Sequence, residues 1–521
     1  MFDYLLTNGR IVDGSGNPYY YGDVALRGER IAAVGRLGNA EARERIDATG
    51  LVLAPGFIDT HVHGDLALLN DPQHEPAIRQ GVTTYLIGQD GVAMAPASPA
   101  TFEHMTRYTA GFSGKADLLA PIVQSRGFLS VADYLALFDK RCALNVAYLV
   151  PNGNVRAEVM GLDTREATPD ELQRMRELVR QGMEQGAVGL SSGLDYIPSR
   201  YATTHELAQL CAEIAPCGGV YVTHMRRYDP EGVLAAMDEV YEIGTRSGAA
   251  VHISHFNSQA ALALPKIDAG RAAGIDVTYD LYCYLAGSSI LAMVALPPQV
   301  QEGGVDATLA RLKQPAVRAK LREVYEGPRG PIEDVRISYI DAAEFRHFEG
   351  RTLGEAAAER KQPVSDFVCD VILSAGLAAG CVAPHRFRNE DDVRALMKHP
   401  AHMAGSDGIY TGSRPHPRGY GCFARYLGHY VRAGVWSLEQ AVQHLAGHAA
   451  VRYGLRDRGL LRAGMAADVI AFNAAAVHDL ATFDDGRQLA TGMKHVFVNG
   501  VPVLRDEKRT QALPGRPLRS C

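Results

Sequence analysis

The sequence predicts an α/β protein, a TIM-type (β/α)8 barrel carrying a small β-sandwich domain built from both chain ends. Three observations predict it. Apolar, strand-like runs recur through the middle of the chain with helix-like segments between most of them, the serial pattern of a parallel barrel. Both ends read instead as short strands punctuated by turns. The length of 521 residues accommodates one large barrel and a smaller domain.

Residues 1–54 hold "YLLTNGRIVDG" and "GDVALRGERIAAVG", strand compositions broken by Asn-Gly, Asp-Gly and Arg-Gly, and form the N-terminal part of the small domain. Eight strand-like runs follow: "GFIDTHVHGD", "VTTYLIGQDG", "NVAYLVPNGN", "AVGLSSGLDY", "GVYVTHMRR", "AAVHISHFN", "GIDVTYDLY" and "AHMAGSDGIY". Between them, "TPDELQRMRELVRQGMEQG" reads as a helix with a Thr cap ahead of Pro and Glu and a Gly stop. "THELAQLCAEIAPCGG" and "DPEGVLAAMDEVYEIGTRSG" read the same way, and "YLALFDKRCALN" is helix-like with a packed Cys142. The barrel is expected over residues 55–455. The stretch from about 291 to 400 is too long for one crossover helix, so an insertion is expected there. Residues 456–521 return to strands at "GMAADVIAFN" and "GMKHVFVNGVPV", the C-terminal part of the small domain, and "RPLRSC" reads as a tail.

Composition narrows the function classes. Hydrophobic content of 47% and charged content of 21% are those of a globular protein. A net charge of -6 offers no basic face for nucleic acid. No stretch approaches the roughly 20 apolar residues needed to span a membrane, and the first residues lack the pattern of a secretory signal. Eight scattered cysteines without a CxxC pair fit a reducing cytoplasm.

The ends of the predicted strands carry the chemistry. His61 and His63 close the first, Asp90 the second, His224 the fifth, His255 the sixth and Asp407 the eighth. His61 and His63 have the same parity and so point to the same side. Catalytic groups of TIM barrels sit at the C-terminal ends of the strands, so four imidazoles and two carboxylates converge on one mouth. That donor set suits one or two divalent ions, zinc foremost. Asp407 is placed to accept a proton from an activated water and pass it to a leaving amine. His252, three positions before His255, faces the other way and is assigned to packing or to support. His205, His402, His444 and His448 lie in helix-like or flanking positions and are set aside.

These residues resemble a known group. "PGFIDTHVHGD", "THMR", "ISH", "GSDG" and "GMAADVIAFN" are similar to the metal-dependent amidohydrolase superfamily, and "SSGLDYIPSRYA", "YDLYCYLAGSS" and "HPRGYGCFARYL" resemble its D-aminoacylase (N-acyl-D-amino-acid deacylase) family. The resemblance runs from about residue 3 to about residue 500. It implies that His61 and His63 hold the looser metal position, His224 and His255 the tighter one, and that Asp407 is the general base and acid. It also implies that Arg418 grips a substrate α-carboxylate with help from Tyr282 and Ser288, as bidentate arginine chemistry favours. Three departures stand out. "GQDG" puts Asp90 where better-known members have a cysteine, Asn257 stands where a lysine is frequent, and the third strand offers Asn152 and Arg156 in place of a histidine followed by arginine. Lys115 and Lys140 are not at strand ends, so a carboxylated-lysine bridge is not expected.

The expected reaction is zinc-dependent hydrolysis of the amide of an N-acyl-D-amino acid. A D-specific dipeptidase, a cyclic amidase of the hydantoinase or dihydropyrimidinase kind, and a non-catalytic binding barrel stay open as alternatives. The expected partner is the small-molecule substrate, with no nucleic acid and no membrane; homo-oligomerisation is left open. Arg200, Arg226 and Arg227 are candidates for an acidic side-chain contact on which no assignment is made.

Overall fold

The computed structural model describes residues 1–325 and 332–519. Residues 326–331 of the expected insertion and the last two of the expected tail lie outside the described residues.

Eight parallel strands follow one another around a barrel in chain order: β1 (Phe57–Asp59), β2 (Val82–Ile87), β3 (Asn145–Pro151), β4 (Gly189–Gly193), β5 (Val220–His224), β6 (Ala250–Ile253), β7 (Val277–Leu281) and β8 (His402–Ala404). β2 and β3 are buried along their whole length, as parallel strands wrapped by helices must be. Just past their ends, β1 and β8 are stitched together. Thr60 N–H donates to the Ala404 carbonyl (3.2 Å), Asp407 N–H to that of His61 (2.7 Å) and His63 N–H to that of Gly408 (3.0 Å). The closure sets the first and last chemical strand ends side by side.

The helices form where caps and stops direct them. Pro169–Glu184 begins in a capping box between Thr168 and Glu171, which satisfies two orphan N–H groups. Val233–Ser247 stops at Gly248, whose φ of 74° suits a residue without a Cβ. The helix near Cys142 is shorter than expected and ends at Ala136. Cys142 lies in the turn beyond, buried, with its Sγ directed at the carbonyls of Phe138 and Leu144.

Strands from the two ends of the chain share one nine-stranded sheet. Val52–Pro55 pairs antiparallel with Val469–Phe472, which joins the early strands to the late ones. "RPLRSC" departs from expectation. Its described residues 516–519 are docked: Leu518 N–H donates to the Val146 carbonyl at 2.7 Å and Arg516 pairs with Glu29 at 2.5 Å.

Between β7 and β8 the chain builds helices and a three-stranded antiparallel sheet of Ala286–Ile290, Ala379–Pro384 and Arg336–Ile340. It sits on the helix Pro99–Ser113 through two glycines. A Cβ on Gly111 would lie 2.3 Å from the Ala379 carbonyl oxygen, and one on Gly380 would lie 2.3 Å from that of Gly111. This contact carries Ala286–Ile290 and Ala379–Pro384 to the barrel mouth. No described helix is long and apolar enough to cross a membrane.

Candidate active site

Turns just beyond the strands aim the chemical side chains. Asp90, His255 and Asp407 all have left-handed backbones, with φ of 55°, 33° and 50°. Such angles cost free energy outside glycine and cluster where function over-determines the backbone.

Asp90 sits at the centre. Its Oδ1 is 3.5 Å from His61 Nε2 and 3.7 Å from His255 Nε2; its Oδ2 is 3.5 Å from His63 Nε2 and 3.8 Å from His224 Nδ1. His224 Nδ1 and His255 Nε2 are 2.9 Å apart. Asp407 Oδ1 approaches His63 Nε2 at 3.3 Å and His61 Nε2 at 3.8 Å. Three sets of ligand atoms converge within 4.8 Å: His61, His63 and Asp90; His61, His255 and Asp407; and Asp90, His224 and His255. His61 is fully buried, yet neither of its ring nitrogens has a hydrogen-bond partner, and Asp90 Oδ1 and His255 Nδ1 are also unpartnered. Buried polar atoms left this way are costly. A divalent cation held by imidazoles and carboxylates satisfies the two of these atoms that face one another, His61 Nε2 and Asp90 Oδ1, so the residues fit a metal.

The local field is strong. Burial opposes charge on His61, but the Asp280 and Asp90 carboxylates overcome it and raise its pKa well above the usual range. Burial likewise opposes ionisation of Asp90, and the histidines around it outweigh that and hold it well below its usual value. For Asp407 burial is outweighed chiefly by the Arg418 guanidinium, which brings the carboxyl down to about 2. Arg418 Nη1 lies 2.8 Å from Asp407 Oδ2.

Arg418 begins the helix Arg418–Ala424 and is fully buried. Its Nη2 donates to the Ser288 carbonyl at 3.1 Å, its guanidinium lies 4.5 Å from the Tyr282 ring centre, and its Nε has no acceptor. Beside it opens a cavity of about 170 Å³, lined among others by Asp90, His224, His255, Tyr282, Ser288 and Asp407. The structure therefore brings all nine sequence-nominated residues to one place, with Arg418 behind the cavity wall. The Tyr282 hydroxyl accepts from Asn257 Nδ2 (2.7 Å) and meets His385 Nε2 (2.9 Å). Asn152 is buried against Ser199 and Arg156 against Glu206. Arg226 is held by Glu239 and two carbonyls, Arg227 by Asp229, and Arg200 by Asp195.

Sequence reasoning missed several residues. Asp280 on β7 is buried; its Oδ1 accepts from the His255 backbone N–H at 2.7 Å, and its Oδ2 is 2.9 Å from His252 Nε2 and 3.4 Å from His61 Nδ1. His252 thus supports the site through Asp280. The available signal was an aspartate inside an apolar strand. Tyr196 and Asn257 line the cavity, as do Met293, Val294 and His385 from the inserted segment. Asn257 is the residue that stands where a lysine is frequent, and Tyr196 lies in "SSGLDYIPSRYA"; nothing in local sequence pattern announces Met293, Val294 and His385, because docking of the insertion puts them there.

A model of the amidohydrolase family matches residues 44–504. D-aminoacylase of Alcaligenes xylosoxydans xylosoxydans is 37% identical, covering 99% of this chain and 97% of the relative. A D-aminoacylase structure studied for its binuclear metal centre superposes with a TM-score of 0.82 at 34% identity, over the whole of both chains. N-acyl-D-glutamate deacylase from Bordetella bronchiseptica, solved with zinc and a phosphonate inhibitor, gives a TM-score of 0.83 at 32% identity over 99% of both chains.

Proposed function

The chain belongs to the amidohydrolase family, and from that premise we propose that it is a metal-dependent hydrolase that cleaves the amide bond of N-acyl-D-amino acids, releasing a carboxylate and a free D-amino acid. Full-length relatives that act as D-aminoacylase and N-acyl-D-glutamate deacylase support the reaction class. The single observation that carries the mechanism is the convergence of four histidines, Asp90 and Asp407 beside a cavity.

His61 and His63 would hold one ion, and Asp90, His224 and His255 a second. Zinc is the ion best matched to imidazole and carboxylate donors. A bound divalent ion polarises the acyl carbonyl and lowers the pKa of water towards about 7. Asp407 takes the proton of the attacking water and delivers it to the departing nitrogen. Its pairing with Arg418 keeps it ionised and able to accept that proton. Arg418, with Tyr282 and Ser288, orients the α-carboxylate of the substrate, which sets the hand of the α-carbon that fits. The unpaired Nε of Arg418 supports this role. Residues 1–54 and 456–521 act as one small β domain, and residues 55–455 as the catalytic barrel.

The test is hydrolysis of N-acetyl-D-amino acids by purified protein before and after chelation, with zinc restored. Loss on chelation and recovery with zinc support the mechanism; release that survives complete metal removal refutes it.

A further inference from the structure

Arg388 is an arginine in an unusual setting. It lies between the strand Ala379–Pro384 and the helix Glu390–Lys398 and is only 7% exposed. Its Nη2 faces the carbonyls of Tyr282 and Tyr284, while Nε and Nη1 are buried with no hydrogen-bond partner. Among the described residues no carboxylate pairs with it. Asn389 behind it is fixed in a capping box with Asp392, so the position is anchored. A buried charge without a counter-charge is expensive. The tyrosine face offsets part of that cost: the guanidinium lies 5.4 Å from the Tyr282 ring centre.

The same ring has Arg418 at 4.5 Å, and Tyr282 lines the cavity. Arg418 pairs with Asp407, whereas Arg388 has no carboxylate partner among the described residues. Behind Tyr282 there is thus a buried positive charge that no carboxylate pairs among the described residues, and the ring in front of it lines the cavity. Resting on the reading above, we propose that Arg388 is a specificity-determining residue for the free carboxylate of the substrate. It acts through the ring of Tyr282 by its field and does not touch the reacting atoms. It makes the cavity select an anionic N-acyl amino acid over its uncharged amide.

The experiment compares Arg388→Met, Arg388→Gln and Arg388→Lys with the parent protein on an N-acetyl-D-amino acid and on its carboxamide. Loss of the charge is expected to raise KM for the acid about ten-fold, the size of one charge acting at roughly 10–12 Å through a medium of effective dielectric about 20. The kcat for the acid and the KM for the carboxamide stay unchanged, and Arg388→Lys recovers most of the loss. Arg388→Gln serves if the methionine variant does not fold. Equal loss on acid and carboxamide, or no loss on either, overturns the proposal. Parent protein that releases no D-amino acid overturns the functional reading itself, and the proposal with it.

Discussion

Asp407 and Asp280 show what single carboxylates do here. Asp407 lies between His63 and Arg418, so Asp407→Asn keeps the shape and removes the proton acceptor. The expected result is a fall in kcat of about 10²–10⁴-fold with unchanged metal content; retained turnover excludes the role. Asp280 reaches the His61 ring, the His252 ring and the His255 backbone. Asp280→Asn is expected to weaken metal binding by about 10–100-fold, as loss of a ligand's supporting partner does, read by competition with a chromophoric chelator. Unaltered affinity would show that the histidines orient themselves. Asp407 was legible from its place at a strand end. Asp280 was not, because its importance comes from neighbours on β1 and β6 that only barrel closure supplies. Arg418 was legible through the resemblance, but its ion pair with Asp407 was not.

At the scale of elements, the strand ends were readable because apolar runs and turn residues mark them locally. The cavity wall was not, because Met293, Val294 and His385 arrive on an insertion whose docking depends on a helix far away in sequence. That docking passes through Gly111 and Gly380. Gly111→Ala is expected to displace the inserted sheet, lowering Tm and raising KM while the metal remains bound. A variant with parental Tm and KM would mean that the contact yields without cost. Gly405 is the counterpart inside the barrel: a Cβ there would lie 2.8 Å from both Asp280 Oδ1 and His61 Cβ. Gly405→Ala is therefore expected to lose metal, which elemental analysis reads directly.

Across the whole molecule, the barrel, the shared end sheet and the metal-rich mouth follow from patterns within single segments, whereas stability depends on groups scattered through the fold. Burial pushes His74 and His444 down to about 3 and His104 to about 4, from an ordinary 6.5. The unfolded chain takes up these protons first, so each stabilises fully above pH 6.5 and loses its contribution as pH falls towards the folded value. The Tm of chelated protein should therefore drop between about pH 6.5 and 4, and less steeply in His74→Gln; a flat profile would contradict this. The central claim concerns the reaction, and chiral analysis of the amino acids released from racemic N-acetyl substrates tests it most directly. The account predicts free D-amino acid, none from the L form, and none after chelation or in Asp407→Asn. Release of L-amino acid, or hydrolysis of cyclic amides alone, would contradict it.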